Sequence, residues 1–285
     1  MKTFDVVIVG AGLAGLQCAR LLSQRGAKIL LVDRKTDLSK GIHTTGIFVR
    51  KTLEDFEFPA GTLGKAVRNV TLYSPKLKAL RLKSEKDEFR VGKMGTLYAA
   101  FLRDCLASGV EFSSATRYIS AHVETARADG QVFPRTETVV KLERNSEAFE
   151  IKTKVLVGAD GAISRVAKDL KLDENKEWIV GYEEVWVNVP LENEPQLHCF
   201  LNARLAPGYL AWITNDGEET HIGVGDTHTI SCPACGPFRI ADIAISTMLG
   251  LAPEHRRERL EETQRAAKPG ELPSIIGSHP THNPE

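Results

Sequence analysis

The chain has 285 residues and carries 37 Lys and Arg against 37 Asp and Glu, a formal net charge of zero. This length can bury a large core in one domain or in two intertwined ones. The even charge, with no basic tract interleaved with aromatics, argues against nucleic-acid binding. No apolar stretch reaches the roughly 18 residues that a membrane span needs.

The first strand-like run opens at Phe4, which leaves no room for a signal peptide, so a soluble cytoplasmic protein is expected. That run, Phe4–Val9, is rich in β-branched residues and stops at Gly10. Gly10, Gly12 and Gly15 follow at G-x-G-x-x-G spacing, and helical periodicity runs from Leu13 to Arg25 before Gly26. A second apolar run, Lys28–Val32, ends on Asp33. Strand, tight turn, helix, parallel strand and acid make up a dinucleotide-binding unit. Gly10 is expected to make the turn, Gly12 to let the backbone approach a pyrophosphate, and Gly15 to let the helix pack on the sheet. The helix N-terminus offers N–H groups and partial positive charge to phosphates, and Asp33 is placed to accept ribose hydroxyls.

The polar loop Lys40–Ile47 comes next, at the carboxyl end of the second strand, where ligands bind in doubly wound sheets. Strands are expected at Val67–Tyr73 and Ala79–Leu82 around Ser74-Pro75. A helix is expected over Met94–Ala107, and Val110–Phe112 should resume the parallel sheet. The stretch 117–152, with alternating segments such as Thr138–Leu142 and Ala148–Ile151, predicts an antiparallel meander laid on that sheet.

Lys154–Val157 then reads as a buried strand running into Gly158-Ala159-Asp160-Gly161, with Ser164 near a helix start. A carboxylate at such a junction can bond ribose or ribityl hydroxyls, though an ordinary Asp-Gly turn reads the same way. Strand-like segments at Trp186–Val189, Leu197–Leu201, Tyr209–Thr214 and Thr220–Gly225 predict a second antiparallel sheet. Helices are expected at Ile240–Leu249 and Glu254–Ala267, and residues 268–285 read as a loosely ordered tail.

Of five cysteines, Cys18 and Cys105 sit in helical patterns as small core residues, and the odd, sparse set argues against a disulfide framework. Cys232-Pro-Ala-Cys235 with His228 offers three zinc ligands but no clear fourth, so two plain loop thiols remain the simpler reading, beside zinc or a redox pair.

The N-terminal glycine motif ending in Asp33, the Gly158–Arg165 segment Gly-Ala-Asp-Gly-x-x-Ser-Arg, and strands that leave the parallel sheet together resemble a known superfamily. It is that of the FAD-dependent oxidoreductases related to para-hydroxybenzoate hydroxylase and geranylgeranyl reductase. The resemblance covers residues 1 to about 270. It implies an α/β fold: a Rossmann-like FAD/NAD(P)-binding domain with a β-meander, at 1–66 and 91–178, interleaved with an antiparallel-sheet substrate domain, at 67–90 and 179–267.

It further implies that Gly10, Ala11, Gly12, Leu13, Ala14 and Gly15 hold the pyrophosphate of FAD. Asp33 would take the adenosine ribose, and Arg34 would lie by the adenine. The segment Thr44-Thr45-Gly46-Ile47 would pass beside the isoalloxazine and pyrophosphate. Asp160 and Gly161 match the family's Asp-Gly motif, linked to FAD and to nicotinamide cofactor use. Tyr209 and Trp212 partly match the aromatic substrate-cavity strand of the reductase branch; ordinary core packing is the alternative.

Two departures stand out. Lys93 takes the place of the Arg or Gln that faces the pyrophosphate at the start of the helix after the first crossover. The second Gly-Asp motif, expected to open a late helix, is missing: Gly225-Asp226 has no helix pattern after it. A truncated or naturally short member is therefore expected.

The implied activity is flavin-dependent oxidoreduction with NADPH or NADH as transient reductant. The substrate would be sizeable and apolar, with reduction of isoprenoid C=C bonds favoured over aromatic hydroxylation. No catalytic acid is singled out. Two further readings stay open: an NAD(P)-dependent dehydrogenase using only the first crossover, with Arg34 and Lys35 near a 2′-phosphate, and a non-catalytic flavin-binding homologue, as a homodimer or completed by a second chain.

Overall fold

The computed structural model describes residues 1–42, 44–126, 135–173, 175, 179–187, 189, 194–226, 229–232 and 236–239. The helices expected at 240–249 and 254–267, the tail at 268–285, His228 and most of the Cys232–Cys235 loop lie outside these residues.

In chain order the elements begin with β1 (Lys2–Val9), α1 (Leu13–Ser23), β2 (Ile29–Val32), β3 (Ile47–Val49) and α2 (Arg50–Asp55). Next come β4 (Leu63–Val67), β5 (Asn69–Tyr73), β6 (Ala79–Lys83), β7 (Phe89–Gly92), α3 (Met94–Ala107) and β8 (Glu111–Ser113). They are followed by β9 (Thr116–Ala126), β10 (Arg135–Arg144), β11 (Glu147–Gly158), α4 (Arg165–Asp169) and β12 (Val180–Val187). The last are β13 (Gln196–Phe200), β14 (Ala211–Asn215), β15 (Glu219–Asp226), β16 (Thr229–Cys232) and β17 (Gly236–Arg239). The chain divides into two compact units: Met1–Thr44, Glu57–Thr62 and Lys93–Lys176, then Thr45–Phe56, Leu63–Gly92 and Glu177–Glu285.

The first unit is built on a six-stranded sheet of order β8-β2-β1-β11-β10-β9. β1 runs parallel to β2 and to β11, and β8 parallel to β2. All four residues of β2 are buried, as expected of a strand covered on both faces. Val7, Val9, Leu30 and Val32 share one buried cluster with Tyr118 of β9 and with Val140 and Leu142 of β10. The β9–β10 ribbon therefore bends back over this face, as the expected meander should. Its last strand and the Lys154–Val157 strand, expected as two, are one continuous β11, antiparallel to β10 at its start and parallel to β1 at its end.

The helices α1 and α3 pack together: the Cys105 thiol reaches the Leu16 carbonyl at 3.4 Å, and the Arg20 guanidinium lies 4.9 Å from the centre of the Phe101 ring. Burial pushes the Cys105 thiol up to about 11, as suits a small core residue.

The second unit holds a six-stranded sheet of order β12-β15-β14-β13-β5-β6 and a three-stranded sheet of order β3-β7-β4. The larger sheet is antiparallel except where β13 runs parallel to β5, which departs from the wholly antiparallel expectation. Residues 45–56 and 63–66 also depart from the expected division, because β3 and β4 both pair with β7 rather than joining the parallel sheet. Here Val67, Leu197 and Cys199 are buried with Phe89, Leu72 and Trp212 packed against them. The strand expected from Tyr209 begins instead at Ala211, with Tyr209 in the turn before it, its N–H bonded to the Ala206 carbonyl at 3.2 Å.

The burial of α3 gives a direct test of its register. Leu97 is fully buried and Leu106 is half-exposed. Leu97→Ala is expected to cost about 2–5 kcal/mol of unfolding free energy in a urea titration, and Leu106→Ala within about 0.5 kcal/mol.

Candidate dinucleotide site

The carboxyl ends of β1, β2 and β11 are locked together by backbone bonds. The Gly10 N–H donates to the Val32 carbonyl at 2.8 Å, and the Ala159 N–H to the Val9 carbonyl at 2.7 Å. The Asp33 carboxylate adds a side-chain tie, accepting from the Ala11 N–H at 2.7 Å and the Lys35 N–H at 2.8 Å. Asp33 thus holds the glycine turn against the end of β2. On α3, Tyr98 lies near enough to feel it: burial first, and then the Asp33 charge, raise the Tyr98 phenol above its ordinary value. Sequence reasoning missed Tyr98, since nothing in its helical pattern separates it from core residues.

The three glycines are not equivalent. Gly10 has φ +100°, and a Cβ there would stand 2.3 Å from the Ala159 carbonyl oxygen and 2.8 Å from the Asp160 Cα. A Cβ at Gly15 would stand 1.8 Å from the Gly10 oxygen. These two are fixed by the chain's own backbone. Gly12 has φ −74°, open to any residue, and a Cβ there meets nothing within 4 Å. The glycine at 12 therefore answers to no neighbour, and it stands at the N-cap of α1. No side chain caps this helix and no acid lies in its first turn, so the amides that open it, those of Leu13, Ala14 and Gly15, face a space suited to an anion. The donor set fits a diphosphate.

Asp160 sits beside this turn but is engaged locally. Its carboxylate accepts from the Ser164 hydroxyl at 2.6 Å and the Arg165 N–H at 2.7 Å, while Ser164 caps α4 through the Ala167 N–H at 2.9 Å. Gly161, at φ +91°, is exposed with open space around it.

Lys93 stands at the N-cap of α3, with its N–H on the Thr62 carbonyl at 2.8 Å. Arg34 is exposed just past β2. Thr44 ends the first stretch of the first unit, whereas Thr45 and Gly46 open the second.

In the second unit Trp212 and Tyr209 meet edge to face at 6.3 Å and 88°. Each ring covers a glycine of β15: a Cβ at Gly223 would fall 2.1 Å from the Trp212 ring, and one at Gly225 2.2 Å from that of Tyr209. The Trp212 Nε1 is buried without a hydrogen-bond partner among the described residues, and Tyr209 is 52% exposed. An open hollow of about 610 Å³ is lined by Thr71, Tyr73, Arg81, His198 and Asn215. Strand alternation puts it on the face opposite Trp212. Gly225-Asp226 lies in β15, away from any helix start among the described residues.

Parallel strands, glycine turn, uncapped helix and acid define a dinucleotide-binding domain. The chain belongs to the FAD binding domain family, which matches residues 3–283. Membership favours FAD over NAD as the dinucleotide that the glycine motif left open.

The chain is 26% identical over 240 residues to the digeranylgeranylglycerophospholipid reductase of Methanocaldococcus jannaschii, covering 78% of this chain and 55% of that protein. It is 29% identical over 238 residues to the reductase of the same name from Sulfolobus acidocaldarius, covering 78% and 50%. The chain spans about half the length of the curated relatives it matches.

The fold resembles that of a geranylgeranyl bacteriochlorophyll reductase-like protein from Thermoplasma acidophilum, with a TM-score of 0.67 and 19% identity over 80% of this chain and 57% of that one. It also resembles aklavinone-11 hydroxylase, solved with FAD and aklavinone, with a TM-score of 0.55 and 18% identity over 91% and 49%. No helix among the described residues is long and apolar enough to cross a membrane.

The contrast among the glycines sets an expected outcome for folding alone. Gly15→Ala should destabilise the protein by about 3 kcal/mol or more, because backbone must move. Gly12→Ala should stay within about 1 kcal/mol of the parent. Thermal and urea unfolding of the two variants check this.

Proposed function

We propose that the first unit grips the ADP half of FAD and that the chain serves an oxidoreductase acting on a sizeable apolar substrate. Reduction of isoprenoid C=C bonds is the reading we favour. One observation carries the cofactor assignment: Gly12, unlike Gly10 and Gly15, is glycine beside open space at an uncapped helix N-terminus.

In this reading the Leu13, Ala14 and Gly15 amides meet the pyrophosphate, and the missing Cβ at Gly12 lets it approach. Asp33 receives ribose hydroxyls on the lone pairs left by its bonds from Ala11 and Lys35. Arg34 lies beside the adenine, and Lys93 adds positive charge toward the diphosphate. Asp160 shapes the wall next to the Gly10 turn by holding α4 in place. The flavin, when bound, supplies two-electron redox chemistry, with NADPH or NADH as the reductant.

Two observations support the substrate class. Two of the similar proteins are named as digeranylgeranylglycerophospholipid reductases. The Tyr209–Trp212 pair also presents an aromatic surface, held by two glycines of β15, of the kind that receives a polyene chain.

The tests separate cofactor from substrate. Purified protein should carry flavin, seen as a band near ~450 nm, and anaerobic NADPH or NADH should bleach it. A preparation with no flavin, and none taken up from excess FAD, overturns the proposal. Gly12→Ala should weaken FAD binding by about tenfold or more while the apoprotein melts as the parent does. Incubation of reduced protein with a geranylgeranyl lipid should yield saturated product by mass spectrometry; a hydroxylated aromatic product from another substrate would favour the monooxygenase reading.

A further inference from the structure

The β14–β15 hairpin of the second unit carries three ligating side chains that the flavin chemistry does not use. Asp216 and His221 are buried, at 3% and 6% exposure, and Glu219 is half-exposed. One ligand atom from each lies within 4.8 Å of the others, with His221 Nε2 4.0 Å from Glu219 Oε2.

The His221 Nδ1 lies 2.9 Å from Glu183 Oε1 on the neighbouring β12. A carboxylate only accepts, so Nδ1 donates to Glu183 and Nε2 is the ring nitrogen left for another partner. That Nε2 is buried with no hydrogen-bond partner and is aimed at the two carboxylates. A buried ring nitrogen with no partner among the described residues is costly unless something else completes it.

The surroundings hold the cluster in place. Asp216 Oδ1 accepts from the Glu218 and Glu219 N–H groups at 2.8 and 2.7 Å, which leaves Oδ2 over. The hairpin is closed by the Asp216 N–H on the Glu219 carbonyl at 3.1 Å. Gly64 packs against Asp216, where a Cβ would stand 2.6 Å from that of the aspartate.

The geometry points to a divalent transition-metal site, with His221 Nε2, Asp216 and Glu219 as protein ligands and Glu183 orienting the imidazole. Carboxylate–histidine–metal relays are built in this way, and an N,O,O donor set suits ions from manganese to zinc. Ligand atoms must lie about 2.0–2.2 Å from such an ion, so the half-exposed Glu219 swings inward by a modest amount and solvent fills the remaining positions. The ion fastens the hairpin to β12 and is independent of FAD.

The experiment uses the full chain, stripped with chelator, and titrated with Zn²⁺ and Co²⁺ by calorimetry and difference absorption. One ion per chain is expected, with Co²⁺ bands of nitrogen and oxygen ligation and no thiolate charge-transfer band. A hundredfold excess over Kd should raise the melting temperature by about 5 °C. His221→Ala and the solvent-tolerant Glu219→Gln should each weaken binding at least about tenfold, and Glu183→Gln by about tenfold through the lost orientation.

Asp216→Asn keeps the turn bonds and should lose affinity while retaining the fold. Failure to bind either ion at millimolar concentration overturns the site. Binding that survives both His221→Ala and Glu219→Gln, or that shows a thiolate band, also overturns it.

Discussion

The contact between Gly15 and the Gly10 carbonyl is the constraint on which the first unit depends. A helix can follow β1 this closely only if no side chain stands between them, and a Cβ at Gly15 would lie 1.8 Å from that oxygen. Once the helix is seated, the Gly10 and Ala159 amides bond the ends of β2 and β1, and three parallel strands finish at one level. Asp33 completes the arrangement from the side chain. Packing and chemistry converge here: the interaction that brings α1 onto the sheet also leaves its first amides without a side-chain cap among the described residues.

The parts of the molecule legible in the sequence are those whose pattern is local. The α3 helix spans Met94–Ala107, as its apolar spacing and Gly109 imply, and β8 returns to the parallel sheet. The glycine turn was readable because its residue types have few other uses. The three-stranded sheet was not, since β3 and β7 are short and their partners lie tens of residues apart. Periodicity shows that a segment is extended and does not name its neighbour. The parallel pairing of β13 with β5 escaped for the same reason. At the site, the sequence placed Asp160 near the Gly10 turn but could not show that both of its oxygens already serve Ser164, Arg165 and the start of α4. Tyr98 was invisible because its closeness to Asp33 arises only from the packing of α3.

In the second unit the same economy appears in another form. Gly223 and Gly225 alternate along β15 and leave two recesses on one face, each filled by an aromatic ring from the neighbouring segment. The Trp212 ring is half core and half surface, bound to the cluster around Cys199 yet with a buried indole N–H that finds no acceptor. Two positions before Gly223, the same face carries His221, whose Nε2 likewise has no hydrogen-bond partner among the described residues. Unmatched polar atoms are few in folded proteins, so two on adjacent strands mark this face as one whose requirements are not met by the described residues.

The strand β11 joins the antiparallel ribbon to the parallel core, and Lys2 at the start of the chain pairs with Ile151. During synthesis β1 therefore leaves the ribosome long before its central neighbour exists. Until β11 emerges, β1 has β2 on one side and a bare edge on the other, with apolar side chains on both faces. Assembly of the nucleotide-binding core is thus gated by translation of its distant half, and early arrest would yield a chain prone to edge-to-edge association.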